Sequence, residues 1–406
     1  MARVLDDLTG LYSKEMFTLE TMNARLKRSG IPSRILRKQI DDTGRYTARY
    51  RVKVRGLSSA AVMQSMRGGG KIGLVQDGVE DGLRKRMEKA AIRALYTLGI
   101  DSGEVEIAAL PGRRYAVEEI IIDKKGSHEA IRAEQQQNDL QQFKMEQSVI
   151  LMGMDPEFIL VSKDGLVVPA SLYLERNGTA GSDAVRDGDE VSYPLGELRP
   201  SPSPDPNGLL RAMRQTLYEA SRLITDHSLL WKAGGLPAPE YPLGGHIHFS
   251  GVPLTLSVIQ CLDNYLALPL AILEDPKGRG RRPRYGFLGD FRRQPYGGFE
   301  YRTLPSFLVS PLITKATLYM AHLIILHHDI LRARPLNRER YHKAYYEGRP
   351  AVLREVAIKL HQDFTRLPNY AAYSKVIDQI FEHIRDGCTW DESRDIRSLW
   401  NIPAVP

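Results

Sequence analysis

The sequence predicts an α+β fold, and three observations carry that expectation. Several apolar stretches hold polar residues two positions apart, which is strand spacing; the amino-terminal third alternates strand-like and helix-like runs; and nearly everything after Ser310 has helical periodicity.

In the amino-terminal part, Arg34 to Val54 reads as a hairpin: RILRKQI, the turn residues DDTG, then RYTARYRVKV with partly alternating apolar and basic residues. Ser58 to Met66 and Val79 to Leu98 carry helical spacing, and GEVEIAAL with PGRRYAVEEIIID reads as two strands around a Pro-Gly turn. Together they predict a small basic α+β domain over residues 1–126 that binds substrate or a partner. The GGGK at 68–71 lacks the spacing of a phosphate loop and is read as a connection. Residues 127–147 are polar, rich in Gln and free of Gly and Pro, which fits a helical linker.

Residues 148–406 then form the second domain. VILMGM, EFILV and LVVPASLYL look like strands, and helices are expected from about Asn207 to Asp226 and from Leu254 to Leu273. The Pro-rich 199–208 stretch reads as a rigid turn into a helix capped by Asp205 or Asn207. His327 and His328 lie on a strongly apolar helix and are read as core or interface positions.

At 406 residues and 42% hydrophobic, the chain can bury real cores. No uninterrupted apolar run reaches the roughly 18 residues of a membrane span, and the start lacks a signal-peptide layout, so no membrane association and a cytoplasmic location are expected. The two cysteines, Cys261 and Cys388, are too few for a disulfide framework or a zinc cluster. The net charge of +7 is an amino-terminal property: residues 1–100 hold 20 Lys+Arg against 10 Asp+Glu, and residues 151–406 hold 30 against 29. Such an excess suits nucleic acid, an acidic partner or a solvated basic surface, and nucleic acid is not favoured because no reading motif accompanies it.

Four pairs carry the chemistry. Side chains at i and i+2 of a strand share a face, so Asp155 with Glu157, Glu197 with Arg199, His246 with His248, and Glu300 with Arg302 can each address one ligand together. Burying several carboxylates near one another costs many kcal/mol unless cations neutralise them, so these acids with an imidazole predict a divalent metal. Oxygen-rich ligands favour Mg²⁺ or Mn²⁺ over zinc. Between the third and fourth pairs, a loop carries Arg279, Arg281, Arg282, Arg284, Arg292 and Arg293 among Gly, Tyr and Phe, the composition of a segment that grips phosphate oxygens. Metal-binding acids beside such a loop are the parts of phosphoryl transfer from a nucleotide.

The ordered segments GMDPEF, ELRP, GGHIHF, RPRYGFLGDFR and FEYRTLPS resemble the phage-type carboxylate-amine ligase (amidoligase) family, itself similar to glutamine synthetase and the glutamate-cysteine ligases. The resemblance covers roughly residues 148–330, with the helical tail to residue 406 as its further extent. It implies a curved antiparallel sheet, a glutamine synthetase-like half-barrel with flanking helices, whose concave face holds ATP and two or three Mg²⁺ or Mn²⁺ ions. By that resemblance Asp155, Glu157, Glu197, His246 and Glu300 are metal ligands, with Asp155 standing where the family more commonly has Glu. His248 is a supporting or substrate-orienting residue, and Arg302 matches the second arginine of an Arg-x-Glu-x-Arg pattern whose first is replaced by Gly298. The missing arginine's phosphate duty falls to Arg284 or Arg292, with Arg199, Arg293 and Tyr285 as further substrate or phosphate contacts.

The implied activity is ATP-dependent ligation: a substrate carboxylate is phosphorylated to an acyl phosphate, and an amine displaces phosphate to leave an amide or isopeptide bond. Asp290 is the candidate base for the amine. Carboxylate- and amine-bearing substrates, amino acid, peptide or protein, are the expected partners, and the sequence is compatible with a homo-oligomer. Two other readings are a guanidino-type phosphotransferase on the same fold and a nucleic-acid-binding protein acting through its basic amino-terminal domain.

Overall fold

A computed structural model describes residues 18–37, 48–66, 73–74, 81–112, 114–122, 149–188 and 190–402, which belong to two compact units. The first holds α1 (Leu19–Arg28), β1 (Ala48–Arg55), β2 (Ser58–Met66), β3 (Gly73–Leu74), α2 (Asp81–Thr97), β4 (Gly103–Leu110) and β5 (Arg114–Ile122). Its antiparallel sheet runs in the order β3-β2-β1-β4-β5. Alternation along ARYRVKVR buries Tyr50, Val52 and Val54 in the core with Met87, Ala91 and Leu95 of α2. The opposite face carries Arg49 and Arg51, whose guanidinium groups lie 2.8 Å from Glu118 and 3.1 Å from Glu106.

Two expectations fail here. Ser58–Met66 is a strand, not a helix, and it forms β1's hairpin across the two-residue turn Gly56-Leu57. Both turn residues have positive φ, 54° and 60°, the conformation that matches the twist of a tight hairpin. The expected hairpin between Arg34 and Val54 is therefore replaced: Ile35–Arg37 is a 3-10 turn, and β1 pairs with β2 and β4. The DDTG turn, the GGGK segment and the polar linker lie outside the described residues.

The second unit is built on one long strand, β6 (Leu151–Val161). β7 (Val167–Val168), β8 (Ala180–Asp187), β9 (Glu190–Leu198), β10 (Leu230–Lys232), β11 (Gly245–Ser250), β12 (Phe291–Arg293) and β13 (Phe299–Tyr301) complete the antiparallel sheet. The order is β12-β13-β11-β6-β9-β8, with β7 and β10 also on β6, so α+β stands as expected. LVVPASLYL supplies only the two residues of β7, because Pro169 ends the run and Ala170–Leu172 turns as 3-10 helix.

One face of β6 is core: Met152, Met154, Phe158 and Leu160 are buried, and Phe158 stacks on Trp231 at 5.0 Å between ring centres. Burying an aromatic of this size contributes about 1.5–3 kcal/mol. Helix α3 (Pro206–Leu223) starts as expected, with Asp205 accepting hydrogen bonds from the Asn207 and Gly208 amides at 3.1 and 2.9 Å. Helix α4 (Leu256–Leu262) passes through a π-helical turn at Asp263–Ala267 into α5 (Leu268–Leu273). By length and mean composition the helical segment Leu256–Leu273 could cross a membrane, although Ser257, Gln260, Asp263 and Asn264 interrupt its apolar residues. It is 94% buried inside the protein, however, which marks a core helix. There the Tyr301 hydroxyl of β13 donates to Asp263 at 2.6 Å. The tail is helical as predicted: α6 (Pro311–Leu326), α7 (Glu339–Tyr346), α8 (Pro350–Thr365), α9 (Ser374–Asp386) and α10 (Ile396–Leu399). Cys261 and Cys388 are both free thiols.

Candidate active site

The four strands that carry the polar pairs are immediate neighbours, in the order β13-β11-β6-β9. Register aligns them: His248 lies opposite Glu300, His246 opposite Asp155, and Glu157 opposite Glu197. Cross-strand partners share a face, so residues up to about 145 positions apart in sequence converge on one surface. Alternation along β6 continues that face from Asp155 and Glu157 into Ile159 and Val161, which pack with Leu195 and Leu243 as a small apolar cluster.

Geometry at the centre is dense. His246 Nδ1 lies 3.1 Å from Asp155 Oδ1 and 3.3 Å from Glu300 Oε1. His248 Nε2 lies 2.9 Å from Asp155 Oδ2, and its Nδ1 is 3.3 Å from the Tyr296 hydroxyl. The Gly244 amide donates to Glu157 Oε2 at 2.7 Å, while Arg199 pairs with Glu197 and Arg302 with Glu300. Two sets of three donors result, Asp155–His246–Glu300 and Glu157–Glu197–His246, with ligand atoms within 4.8 Å of one another in each. His246 belongs to both.

Two glycines make this fit. A Cβ on Gly244 would overlap the His246 imidazole, and one on Gly181 of β8 would overlap the Arg199 guanidinium, so the GGH and AGS segments leave space for the groups across from them.

Burial governs the charge states. It pushes Glu157 up to about 7, against the opposing pull of His246, and it pushes Glu197 up to about 8, helped by Asp155 and opposed by Arg199. Burial alone would neutralise His246 too, but the Asp155 carboxylate outweighs it and raises the imidazole to about 9. For Asp155 the same contest ends the other way: burial works against its charge, yet His246 and His248 hold it well below the usual carboxylate range. In the metal-free protein, then, protons and one imidazolium do the neutralising that cations could do.

The arginine loop divides. Arg281 and Arg282 are buried and structural: Arg282 donates to Glu274 at 2.6 Å and stacks over Tyr345, and Arg281 donates to the Thr303 carbonyl at 2.7 Å. Neither is available to grip phosphate, which corrects the reading of the whole loop as a phosphate clamp. Arg292, on β12 opposite Glu300, reaches Glu300 Oε2 at 3.4 Å. Arg284 is exposed and stacks over Tyr285 at 5.5 Å, and no described contact ties either to the acids. Of the two candidates for the missing arginine, Arg292 is the one beside Glu300. A side chain at Gly298 itself would strike the Phe249 carbonyl, which explains why no arginine stands there. Arg293 follows Arg292 on β12, and alternation turns it to the opposite face, away from the acids. Asp290 is half-buried, and its carbonyl accepts from the Arg302 amide at 2.8 Å.

Three contributors escape a reading of pairs. Gln294 donates to Glu300 Oε2 at 2.9 Å; Tyr296 meets His248; and Asp183, on β8 two residues beyond the Gly181 that faces Glu197, adds negative charge against both Glu157 and Glu197. Only Asp183 had a usable signal, an acid at strand spacing from a glycine.

Residues 152–402 match the family model described as phage phiEco32-like COOH.NH2 ligase-type 2. No curated protein shows significant similarity to the chain. Among solved structures, a bifunctional glutathione synthetase from Pasteurella multocida aligns with 64% of this chain and 49% of its own, at 12% identity and a TM-score of 0.41. The chain thus spans about half of that protein's length. A glutamate–cysteine ligase from Francisella tularensis in complex with AMP aligns with 62% of this chain and 87% of its own, at 11% identity and a TM-score of 0.33. Apo GmaS without ligand aligns with 89% of this chain and 95% of its own, at 13% identity and a TM-score of 0.30.

Proposed function

We propose that this chain, which belongs to the phage phiEco32-like COOH.NH2 ligase-type 2 family and is a carbon–nitrogen ligase, joins a carboxylate to an amine through an acyl phosphate at the expense of ATP. The supporting observation is the register that gathers Asp155, Glu157, Glu197, His246 and Glu300 into two donor sets sharing one imidazole.

These residues suit Mg²⁺ or Mn²⁺, two or three ions. The donor set is mostly carboxylate oxygen, and His246 Nδ1, 3.1 Å from Asp155 Oδ1, occupies in this structure the side of the carboxylate that an ion would share. When bound, the ions supply charge that neutralises the acids and polarises the phosphate oxygens of ATP. The chain's own residues do the rest. Arg302 and Arg292 flank Glu300 and stabilise charge on the transferring phosphoryl group; Arg199 positions Glu197; and His248, held between Asp155 and Tyr296, orients substrate. Asp290, beside Arg302, takes the proton from the attacking amine. On this reading residues 148–406 form the ligase domain, joined through 127–147 to a substrate- or partner-binding domain at 1–126, and the use of ATP is consistent with a cytoplasmic location.

The test is incubation with ATP, Mg²⁺ and pools of amino acids and peptides. The expected result is free phosphate in step with a new amide product. Phosphate appearing instead on a substrate nitrogen, with none released, would identify a phosphotransferase and overturn the proposal.

Metal binding should also be linked to pH. Folding raises Glu157, Glu197 and His246 to about 7, 8 and 9, so between the ordinary values and these the folded chain holds more protons than the unfolded one. Stability from these groups is complete below their unfolded values and is lost as pH rises through the folded ones. The melting temperature of the metal-free protein should therefore fall from pH 6 to pH 9. Saturating Mn²⁺ replaces those protons, so its stabilising shift should grow over the same range. A shift of constant size would show that these groups do not exchange protons for metal.

A further inference from the structure

The amino-terminal unit contains a cavity of 620 Å³ that the chemistry above leaves unused. Lys27 of α1, Arg34, Arg86 of α2 and Arg114 of β5 line it, together with Tyr115 and Asn23. No carboxylate lines it among the described residues. On the other face of the sheet Arg49 is paired with Glu118 and Arg51 with Glu106. Around the cavity, Lys27, Arg34 and Arg114 have no carboxylate partner among the described residues, so like charges gather on a concave surface where their field adds. Holding them together unneutralised costs stability, and an anionic ligand removes that cost.

Three details narrow the anion. The volume suits a few residues or one small molecule rather than an extended strand. Tyr115, the one aromatic side chain among the described lining residues, has its ring covered by the Arg86 guanidinium at 5.2 Å, so that face is not free to stack a base. The wall also holds Asn23, 9% exposed, whose Oδ1 accepts no hydrogen bond. A phosphate backbone brings only acceptors, whereas a peptide brings N–H donors along with its carboxylates.

We propose that this cavity docks an acidic peptide segment, its side-chain carboxylates paired with Arg34, Arg86, Arg114 and Lys27. As the means of holding the carboxylate-bearing substrate this rests on the ligase reading; the binding itself does not.

The experiment measures fluorescence anisotropy of a labelled hexaglutamate peptide with the full chain, in the absence of ATP and metal, so failure of the ligase chemistry leaves it unmoved. A hexaglutamine peptide and a six-nucleotide oligothymidylate serve as comparisons. Hexaglutamate should bind, hexaglutamine should not, and rising salt should weaken the complex. Arg34→Ala, at a half-buried position, and Arg86→Ala, at an exposed one, should each weaken binding by about tenfold, the scale of one charge-assisted hydrogen bond. Circular dichroism and melting curves confirm that the variants fold, and Arg49→Ala, on the opposite face of the sheet from the apolar core, should bind like the parent. Equal binding of hexaglutamine, tighter binding of the oligonucleotide, or equal losses in Arg49→Ala and Arg34→Ala would each overturn the proposal.

Discussion

Replacing Glu300 by Ala should abolish measurable turnover, lowering phosphate release by at least ~10²–10³-fold, and should remove stabilisation by Mn²⁺. Glu300 is 1% exposed and collects more partners than any other acid of the site. Its Oε1 faces His246 and Arg302, and its Oε2 faces Gln294 and Arg292. Removing it leaves two guanidinium groups and an imidazole without their shared counter-charge, and breaking a buried pair in this way costs about 3–5 kcal/mol. The Ala variant alone would therefore confuse lost folding with lost chemistry. Glu300→Gln separates them, because the amide keeps the shape and the hydrogen bond from Arg302 but offers no negative charge. Having lost the charge but not the shape, it should melt below the parent yet above Glu300→Ala, show little Mn²⁺-dependent shift and remain inactive. A Gln variant with parental phosphate release would remove Glu300 from the metal set.

The central site was legible because alternation is a local property: two residues apart on a strand means one face whatever the strand's neighbours are. Which strands are neighbours is not local. That β13, β11, β6 and β9 lie side by side follows from pairings between segments as much as 145 residues apart, and β12 and β13 are only three residues each, too short to show periodicity. The arginine loop failed for a related reason. Composition suggested six equivalent guanidinium groups, but Glu274, 0% exposed, draws Arg281 and Arg282 into the interior, and no spacing rule places Glu274 there. AAVM has helical character, yet Ser58–Met66 is a strand because the positive-φ turn at Gly56-Leu57 before it folds it back on β1. Asp183, Gln294 and Tyr296 reach the site singly, without a partner two positions away to mark them.

Arg302 provides the sharpest separation of phosphoryl chemistry from metal binding. It shares β13's polar face with Glu300, its side chain is 25% exposed, and the Asp290 carbonyl anchors its backbone amide at 2.8 Å. Burial works against its charge, but Glu300 and Asp290 outweigh burial and raise its proton affinity further, so it stays cationic at any working pH. On the proposed ligase reading, this fixed cation beside Glu300 acts on charge that develops during transfer rather than on the ground state. Arg302→Ala should accordingly lower kcat by about 10³-fold, the lower end of the effect of a phosphoryl-stabilising arginine, while leaving KM for ATP within a few-fold. The Mn²⁺-dependent rise in melting temperature should survive, since Glu300 and His246 keep their places. Arg302→Lys retains the charge but not the planar fork, and should recover only a small part of the lost rate. Steady-state phosphate release across ATP concentrations distinguishes the outcomes: a rise in KM at unchanged kcat would make Arg302 a residue of ground-state nucleotide binding and pass the transition-state role to Arg292.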